Sequence, residues 1–268
     1  MTRVTELITN PRSLIPETRR CIASALNGLA SALLAPACAV CKAVLDEPLS
    51  GCVCTTCWAS IRPITPPVCD ACGEPLARRY QSDSLCIRCF RHRSAIERAR
   101  AIGEYDGTLR EIIHALKYDG RRSLARPLAG LMCARGAELL KDADCVVPVP
   151  LHWRREHSRG FNQARELSRY MGLPVAEALV RTRYTRPQIE LAAERRRTNV
   201  AGAFRRRLGW LRPRAIRARK VVLIDDVSTT GATLEACARV LKEDGVSDVY
   251  ALTAARVISR RARDHLTY

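Results

Sequence analysis

The chain has 268 residues, of which 47% are hydrophobic and 27% are charged. This composition is typical of folded proteins, and it excludes disorder, collagen and coiled coil as descriptions of the whole chain. Lysine and arginine total 45 against 27 aspartate and glutamate, so the net charge is +18. A surplus of this size indicates an anionic partner.

Residues 1–35 precede the first recognisable motif, and we expect a helical or leader segment there. The weakly polar stretch Cys21–Val40 is rich in alanine and is interrupted by Asn27, Ser31 and Pro36. A membrane helix needs about 20 strongly apolar residues, so the sequence predicts no transmembrane span. A secretion signal is disfavoured because twenty residues precede the apolar run. We therefore expect a cytoplasmic location.

Cysteine spacing is the first motif along the chain. Eight of the thirteen cysteines form four C-x-x-C pairs, separated by 12, 11 and 13 residues. The pairs are Cys38 and Cys41, Cys54 and Cys57, Cys69 and Cys72, and Cys86 and Cys89. Two such pairs complete the four-sulfur shell that Zn²⁺ prefers, so the sequence predicts one or two structural zinc ions. A disulfide framework and a thioredoxin-like redox motif are alternatives, but four regular pairs without an export signal favour metal.

The same stretch is poor in core residues. The 52 residues from Cys38 to Cys89 contain only thirteen bulky apolar side chains, too few for a stable core. Structural zinc contributes about 10–16 kcal/mol to the folding of small modules and can replace that core. The spacing leaves open whether adjacent pairs share a metal or interleave, and Cys52 and His92 are competing ligands. The four remaining cysteines are expected to be small core residues: Cys21, Cys133, Cys145 and Cys237.

From Ala99 onward, helical and strand patterns alternate. Helices are predicted at Thr108–Tyr118, Ser123–Leu140, Asn162–Tyr170 and Thr233–Glu243, and strands at Cys145–Val149, Lys220–Asp225 and Val249–Ala255. Continuous apolar strands between helices are typical of a parallel sheet with helices on both faces. The sequence therefore predicts a doubly wound α/β domain, whose ligand site lies at the carboxyl ends of the strands.

Positive charge is concentrated in one segment of that domain. Residues 178–220 contain thirteen arginines and one lysine against Glu190 and Glu194, so 14 − 2 = +12 of the charge lies there. Guanidinium groups bind phosphate in a bidentate fork, so nucleotides and nucleic acid are the natural partners. We expect single-stranded DNA, if bound, to contact Arg181–Lys220. A solvated charged loop without a partner is the alternative.

An apolar strand followed by acidic, hydroxyl and glycine residues occupies residues 221–233, which read Val-Val-Leu-Ile-Asp-Asp-Val-Ser-Thr-Thr-Gly-Ala-Thr. Small residues let backbone N–H groups close around a phosphate at a helix N-terminus, and the carboxylates Asp225 and Asp226 can accept hydrogen bonds from sugar hydroxyls. The segment resembles the signature of type I phosphoribosyltransferases, which bind 5-phosphoribosyl 1-diphosphate (PRPP). Ser228 departs from it, since the eighth position is usually apolar.

Further blocks resemble the ComF family of competence proteins. They are the Pro-Val-Pro and Arg-Gly-Phe-Asn-Gln runs within Val146–Gln163, the segments His114–Gly120 and Arg196–Phe204, and the C-x-x-C array. The resemblance covers residues 36–257. It implies a zinc-binding module at residues 36–92, a phosphoribosyltransferase-like domain at 99–259, a basic tail at 260–268, and a role in DNA uptake during natural transformation.

The resemblance also implies roles for single residues. Asp225 and Asp226 would hold the ribose hydroxyls, directly or through Mg²⁺, as the catalytic pair. PRPP would be bound by Ser228, Thr229, Thr230, Gly231, Ala232 and Thr233, with residues 229–233 around the 5′-phosphate. Arg154, Arg155 and Arg159 would form the pyrophosphate loop, and Arg186–Phe204 a flexible lid. His152 and His157 are candidate bases by position only.

Two classes of function remain open from the sequence. In the first, the protein is a phosphoribosyltransferase with an unknown acceptor, in which Mg²⁺ and arginines stabilise the leaving pyrophosphate. In the second, it is a module that senses PRPP or binds single-stranded DNA without turnover. The acidic pair and the loop favour PRPP binding, whereas no pocket for a purine or pyrimidine can be named.

Overall fold

The computed structural model describes residue 27 and residues 36–76, 84–183, 202–207 and 220–258. The predicted leader segment apart from residue 27, the basic tail, Cys21 and most of the segment Arg181–Lys220 lie outside these residues. The predicted division into a module at 36–92 and a domain at 99–259 stays a prediction.

A four-stranded sheet forms the centre of the fold. In spatial order its strands are β1 (Arg98–Glu104), β6 (Asp248–Arg256), β5 (Lys220–Ser228) and β2 (Cys145–Pro148), and every neighbouring pair is parallel. A short antiparallel pair, β3 (Leu179–Arg181) with β4 (Phe204–Arg206), lies beside this sheet. The central strands β5 and β6 are apolar over most of their length, as expected for strands buried on both faces.

Eight helices have both ends within the described residues. They are α1 (Thr55–Ala59), α2 (Ile87–Arg91), α3 (Gly107–Tyr118), α4 (Ala125–Arg135), α5 (Ala137–Lys141), α6 (Trp153–Arg159), α7 (Gln163–Ser168) and α8 (Ala232–Glu243). Single 3₁₀ turns cover Pro48–Ser50 and Arg122–Leu124. No helix in this part of the chain is both long and apolar enough to cross a membrane.

Alternation along β5 separates two cores. Val222 and Ile224 pack with α3 and α4 in one cluster, whereas Val221 and Leu223 pack with α8 in the other. Successive side chains of a strand point to opposite faces, so helices cover the sheet on both sides. This arrangement agrees with the predicted fold class.

Local chemistry explains where the helices begin. Asp106 caps α3 by accepting the N–H of Gly107 at 2.9 Å, and Asn162 caps α7 by accepting the N–H groups of Ala164 and Arg165. Along α3 the buried residues Leu109, Ile112, Ile113 and Leu116 recur at helical spacing, as the sequence predicts.

The predicted helix Ser123–Leu140 is interrupted. It is divided into a 3₁₀ turn, α4 and α5, with the break at Gly136. A Cβ atom at Gly136 would lie 2.6 Å from Cδ2 of Leu252 on β6, so the chain approaches the sheet more closely there than a side chain allows. Helical periodicity alone did not reveal this close approach.

The cysteine-rich module, residues 36–92, covers the outer edge of β1. Pro63 forms a bridge with Gly103, the N–H of Ile64 donates to Ile102, and the N–H of Glu104 donates to Arg62. At the opposite edge, β2 is covered by residues 174–176 through the hydrogen bonds from Val146 to Pro174 and from Ala176 to Val146. Neither outer strand is therefore left fully open to solvent.

Candidate functional site

The eight paired cysteines form two groups of four. The first cysteine cluster is Cys38, Cys41, Cys54 and Cys57, and the second cysteine cluster is Cys69, Cys72, Cys86 and Cys89. Within each cluster the Sγ atoms lie within 4.8 Å of one another, so four thiolates converge on one point as tetrahedral zinc requires. Adjacent pairs thus share a site, which resolves the pairing that spacing left open.

The other cysteines do not join these clusters. All twelve cysteines in the described residues are free, so the disulfide framework is not formed there. Cys52 contacts Ser123 at 3.8 Å instead of completing a cluster, and His92 is not part of either group. Cys145 and Cys237 are buried as expected, and Cys133 is partly buried.

Backbone N–H groups prepare the thiolates for a cation. The N–H of Cys54 points at Sγ of Cys38 at 3.4 Å, and the N–H of Cys86 points at Sγ of Cys69 at 3.3 Å. Burial by itself raises the pKa of Cys38, but donation from Cys54 and other backbone groups lowers this pKa to about 6. These sites fit structural Zn²⁺.

The acidic pair, Asp225 and Asp226, lies near the carboxyl end of β5, which is the edge where parallel sheets bind their ligands. Asp226 accepts a hydrogen bond from Nζ of Lys117 on α3 at 2.8 Å, and both side chains are largely buried. The N–H of Asp226 donates to Oδ1 of Asp225 at 2.9 Å. Asp225 interacts electrostatically with Arg181 and Cys237, which belong to the other face of the sheet. The two carboxylates therefore differ in their partners.

Burial and charge give these two carboxylates different chemistry. Burial, followed by repulsion from Asp226, raises the pKa of Asp225 from 3.8 to about 7, although Lys117 and Arg181 oppose the change. Burial lowers the pKa of Lys117, but attraction to Asp226 outweighs it and raises the pKa overall. Asp226 thus forms an ion pair with Lys117, whereas the negative charge of Asp225 is only partly compensated by Lys117 and Arg181.

The phosphate loop, residues Ser228–Thr233, joins β5 to α8. Gly231 has φ of 76°, a left-handed conformation that favours glycine, and it occupies the N-cap of α8. The hydroxyl of Thr230 accepts the N–H of Ala232 at 3.4 Å. Backbone N–H groups and the positive end of a twelve-residue helix make this turn suited to a phosphate.

The predicted pyrophosphate loop is largely helical. Arg154 and Arg155 lie in the first turn of α6, and Arg159 lies at its last turn. His152 is the N-cap of α6, and its Nδ1 accepts a hydrogen bond from the N–H of Arg154. Burial and the charges of nearby arginines lower the pKa of His152. His157 lies on the same helix near its C-terminus.

Two arginines of this helix stack on exposed aromatic rings. The guanidinium of Arg154 lies 5.3 Å from the ring centroid of Trp153, and that of Arg159 lies 4.9 Å from the ring centroid of Tyr118. Trp153 is 65% exposed and Tyr118 is 57% exposed. Aromatic residues are rare in this sequence, and each of these two exposed rings lies beside an arginine guanidinium group.

The second cysteine cluster is tied to the phosphate loop. Nη1 of Arg88, from α2, donates to the carbonyl of Thr230 at 2.7 Å. Arg256, at the end of β6 and 4% exposed, donates to the carbonyl of Cys72 and to the carboxylate of Glu74. Burial lowers the pKa of Arg88, but the charge of Cys72 and its neighbours outweighs this and raises it.

Sequence reasoning missed four of these side chains: Lys117, Arg181, Arg88 and Arg256. A usable signal existed for Lys117, because it continues the apolar row of Leu109 and Ile113 at intervals of four residues. A lysine on the buried row of a helix indicates a buried acidic partner. The contacts of Arg88 depend on distant segments and left no such signal.

Comparisons with known proteins agree with this organisation. Residues 29–91 match a double zinc ribbon domain, and residues 157–267 match a phosphoribosyl transferase domain. The predicted fold class is thereby confirmed, as are two four-cysteine sites of the structural zinc type.

Two relatives align with most of the chain. DNA utilization protein YhgH of Escherichia coli strain K12 is 32% identical over 216 residues, which are 77% of this chain and 91% of that protein. Competence protein F of Haemophilus influenzae is 30% identical over 229 residues, or 82% of this chain and 96% of that protein. Among solved structures, phosphoribosylpyrophosphate synthetase from Mycobacterium smegmatis matches 53% of this chain and 36% of its own, with 20% identity and a TM-score of 0.29.

Proposed function

Because the chain belongs to the ComF family of competence proteins, we propose that it binds PRPP with Mg²⁺ and serves DNA uptake during natural transformation. The observation that carries this proposal is the end of β5, where the acidic pair leads directly into the phosphate loop at the N-terminus of α8. A cytoplasmic location is part of the proposal, because reduced thiols are needed for both cysteine clusters.

Each part of PRPP has a suitable group at this edge of the sheet. N–H groups of residues 230–233 receive the 5′-phosphate, since Gly231 lets the backbone approach it. Asp225 accepts hydrogen bonds from ribose hydroxyls, and Lys117 forms an ion pair with Asp226 beside it. Arg154 and Arg155 supply charge for the diphosphate. Mg²⁺, when bound with PRPP, neutralises diphosphate charge.

Binding is tested by calorimetry with PRPP and Mg²⁺. We expect saturable binding in the wild type and its loss in Asp225→Asn, with ribose 5-phosphate as a weaker ligand that lacks the diphosphate. Absence of binding to the wild-type protein at millimolar PRPP would mean that only the ancestral fold is retained, and the proposal would be wrong.

Turnover is tested separately with labelled PRPP and single-stranded DNA as the offered acceptor. Release of pyrophosphate and transfer of the label to DNA would identify a phosphoribosyltransferase. Binding of PRPP without pyrophosphate release would identify a sensor, in which PRPP changes the protein's behaviour and is not consumed.

Single-stranded DNA binding is a second candidate function, favoured by Trp153 and Tyr118. Both rings are exposed, each has an arginine beside it, and sequence-tolerant stacking of bases needs such rings near cations. These rings are a candidate DNA-binding surface in addition to the segment Arg181–Lys220. Binding of DNA by that segment stays a prediction.

Substitution of the two rings tests this candidate. Trp153→Ala with Tyr118→Ala is expected to weaken binding of a short single strand by about tenfold or more, since each stacked base contributes about 1–3 kcal/mol. Tyr170→Ala, which removes another exposed ring, is the matched control and should bind like the wild type. Equal affinities for all three proteins would remove DNA from this surface. The number of DNA phosphates that the wild-type protein neutralises can be obtained from the salt dependence of its DNA association constant K. The slope of log K against log salt is about −0.7 for each neutralised phosphate of a single strand.

A further inference from the structure

Arg88 connects the cysteine-rich module with the phosphate loop. It lies between Cys86 and Cys89, two residues of the second cysteine cluster, and its guanidinium donates to the carbonyl of Thr230 at 2.7 Å. A cavity of about 780 Å³ separates the cysteine-rich module from α8, and Arg88, Thr230 and Gly231 line it. Arg88 thus reaches from the second cysteine cluster to the loop along the wall of this cavity.

The orientation of one peptide group follows from this contact. The Thr230–Gly231 peptide is trans, so its carbonyl and its N–H point in opposite directions. When Arg88 holds the carbonyl of Thr230 on the module side, the N–H of Gly231 must face away from the module. Gly231, with φ of 76°, accepts this orientation without the penalty that other residues pay in the left-handed region.

A second connection holds the start of the loop, at Ser228. Arg256 pairs in register with Ser228, and it donates to the carbonyl of Cys72 at 2.9 Å. The N–H of Val257 donates to the carbonyl of Ser228 at 2.8 Å. The two halves of the second cysteine cluster are therefore attached to the loop at two places, Cys72 through Arg256 beside Ser228 and Cys89 through Arg88 at Thr230.

The first cysteine cluster has different neighbours. Its segment contacts the other side of the sheet, where Ser60 bonds to Thr108 at 2.7 Å and Arg62 pairs with Asp106 at 2.7 Å, both near the start of α3. Cys38 and Cys57 are buried in the same hydrophobic core as α3. Contacts with the phosphate loop thus come from the second cluster.

We propose that Arg88 is a positioning residue, which transmits the metal-bound geometry of the second cysteine cluster to the phosphate loop and so sets the affinity for a 5′-phosphate. Four thiolates joined by zinc fix α2, α2 fixes Arg88, and Arg88 aims the N–H of Gly231. The inference rests on the proposed binding of PRPP and adds control of that site by the second cluster.

Arg88→Met tests the proposal because it keeps all eight cysteines and removes only the donor. We expect PRPP affinity to fall about tenfold, the change expected for one lost charged hydrogen bond. Zinc content should stay that of the wild type. Arg88→Lys should recover part of the affinity, since an ammonium can still donate to the carbonyl. Arg91→Met, which changes an exposed arginine of the same helix, is the control and should bind PRPP normally.

Hydrogen exchange gives a readout that needs no ligand. Faster exchange of the amides at residues 229–233 in Arg88→Met, but not in Arg91→Met, supports the positioning role even if the wild type fails to bind PRPP. In that case the proposed function is wrong and the connection stands. Unchanged exchange together with unchanged PRPP affinity in Arg88→Met overturns the inference and leaves PRPP binding intact.

Discussion

Neighbouring aspartates at the end of β5 have opposite relations to the stability of the fold. Asp226 is paired with Lys117 at 2.8 Å, whereas Asp225 is partly exposed, and desolvation together with repulsion from Asp226 raises its pKa to about 7. A carboxylate kept in a costly environment is the usual sign of a functional group, since stability alone would favour its replacement. The acidic pair therefore combines one ion-paired carboxylate with one whose charge is only partly compensated.

Asp225→Asn should increase stability at high pH. Because the pKa of Asp225 is raised from 3.8 to about 7, the folded state keeps a proton that the unfolded state releases, and stability falls as pH rises between these values. The variant lacks this loss, so we expect its Tm at pH 8 to exceed that of the wild type by at least about 2–4 °C, and the gain to vanish near pH 4.

Asp226→Asn is the comparison for that experiment. It leaves the buried ammonium of Lys117 without a full charge partner, so we expect a loss of about 3 kcal/mol at neutral pH. Thermal melts of both variants across pH measure the two effects. Equal destabilisation by both substitutions would contradict the assignment of different environments to the two carboxylates.

Gly231 can be tested against a glycine of the same conformation elsewhere. Gly231 has φ of 76° and Gly172 has φ of 73°, and a Cβ atom meets no close contact at either position. Alanine should therefore destabilise the fold by about 1–2 kcal/mol at each site, through left-handed strain alone. We expect calorimetry to show weaker PRPP binding for Gly231→Ala and normal binding for Gly172→Ala. Matched losses of affinity would indicate a global effect.

Two C-x-x-C turns form each cysteine cluster, with little regular secondary structure between them. Helices α1 and α2 have five residues each, and the described chain between them carries few buried apolar side chains. Metal coordination must therefore supply the order that hydrogen-bonded elements supply elsewhere.

Elemental analysis of purified protein should give two zinc ions per chain. Cys41→Ser and Cys72→Ser should each reduce the content to about one, because each removes a ligand from a different cluster. Cys52→Ser should retain two, since Cys52 bonds to Ser123 outside the clusters. A single zinc ion in the wild type would show that only half of the array is a metal site.

Element prediction from sequence succeeded where burial is uniform. The strands β2, β5 and β6 are apolar runs, and α3 and α8 carry regular apolar rows, so their periodicity reports their environment. The strand β1 was missed because its arginines, among them Arg98 and Arg100, interrupt the pattern. An outer strand is only partly buried, so its sequence carries a weaker signal.

Site prediction reached the chain segments but not their partners. Spacing predicted the two four-cysteine sites, which are confirmed, and the predicted acidic pair and phosphate loop likewise rest on local patterns. The bonds from Lys117 to Asp226 and from Arg88 to Thr230 join segments far apart in sequence, and a single sequence does not encode which distant groups meet. Which C-x-x-C pairs share a metal site also depends on contacts between distant segments, and spacing alone left it open.

For the whole molecule, the contact between the cysteine-rich module and β1 depends on two glycines. A Cβ atom at Gly103 would lie 2.4 Å from the carbonyl oxygen of Arg62, and one at Gly73 would lie 2.7 Å from that of Ala99. Backbone runs against backbone at this junction, so side chains at either position would push the two parts of the chain apart.

Gly103→Ala should loosen this junction. We expect a destabilisation of about 1–3 kcal/mol, typical of overpacking, measured by urea denaturation with tryptophan fluorescence. Gly130→Ala, at a position of α4 with open space around it, is the control and should be neutral or slightly stabilising. A neutral result for Gly103→Ala would mean that the module contacts β1 more loosely than these distances imply.

Coverage of β1 also bears on how this protein can be divided for experiments. A fragment that begins after residue 92 would present to solvent the backbone groups of Ile102 and Glu104 that bond to Ile64 and Arg62 in the intact chain. An exposed strand edge can pair with strands of other molecules. Such a fragment should therefore form intermolecular β-sheet and precipitate at concentrations where the intact chain stays in solution. Besides holding metal, the cysteine-rich module thus protects the sheet behind it from self-association.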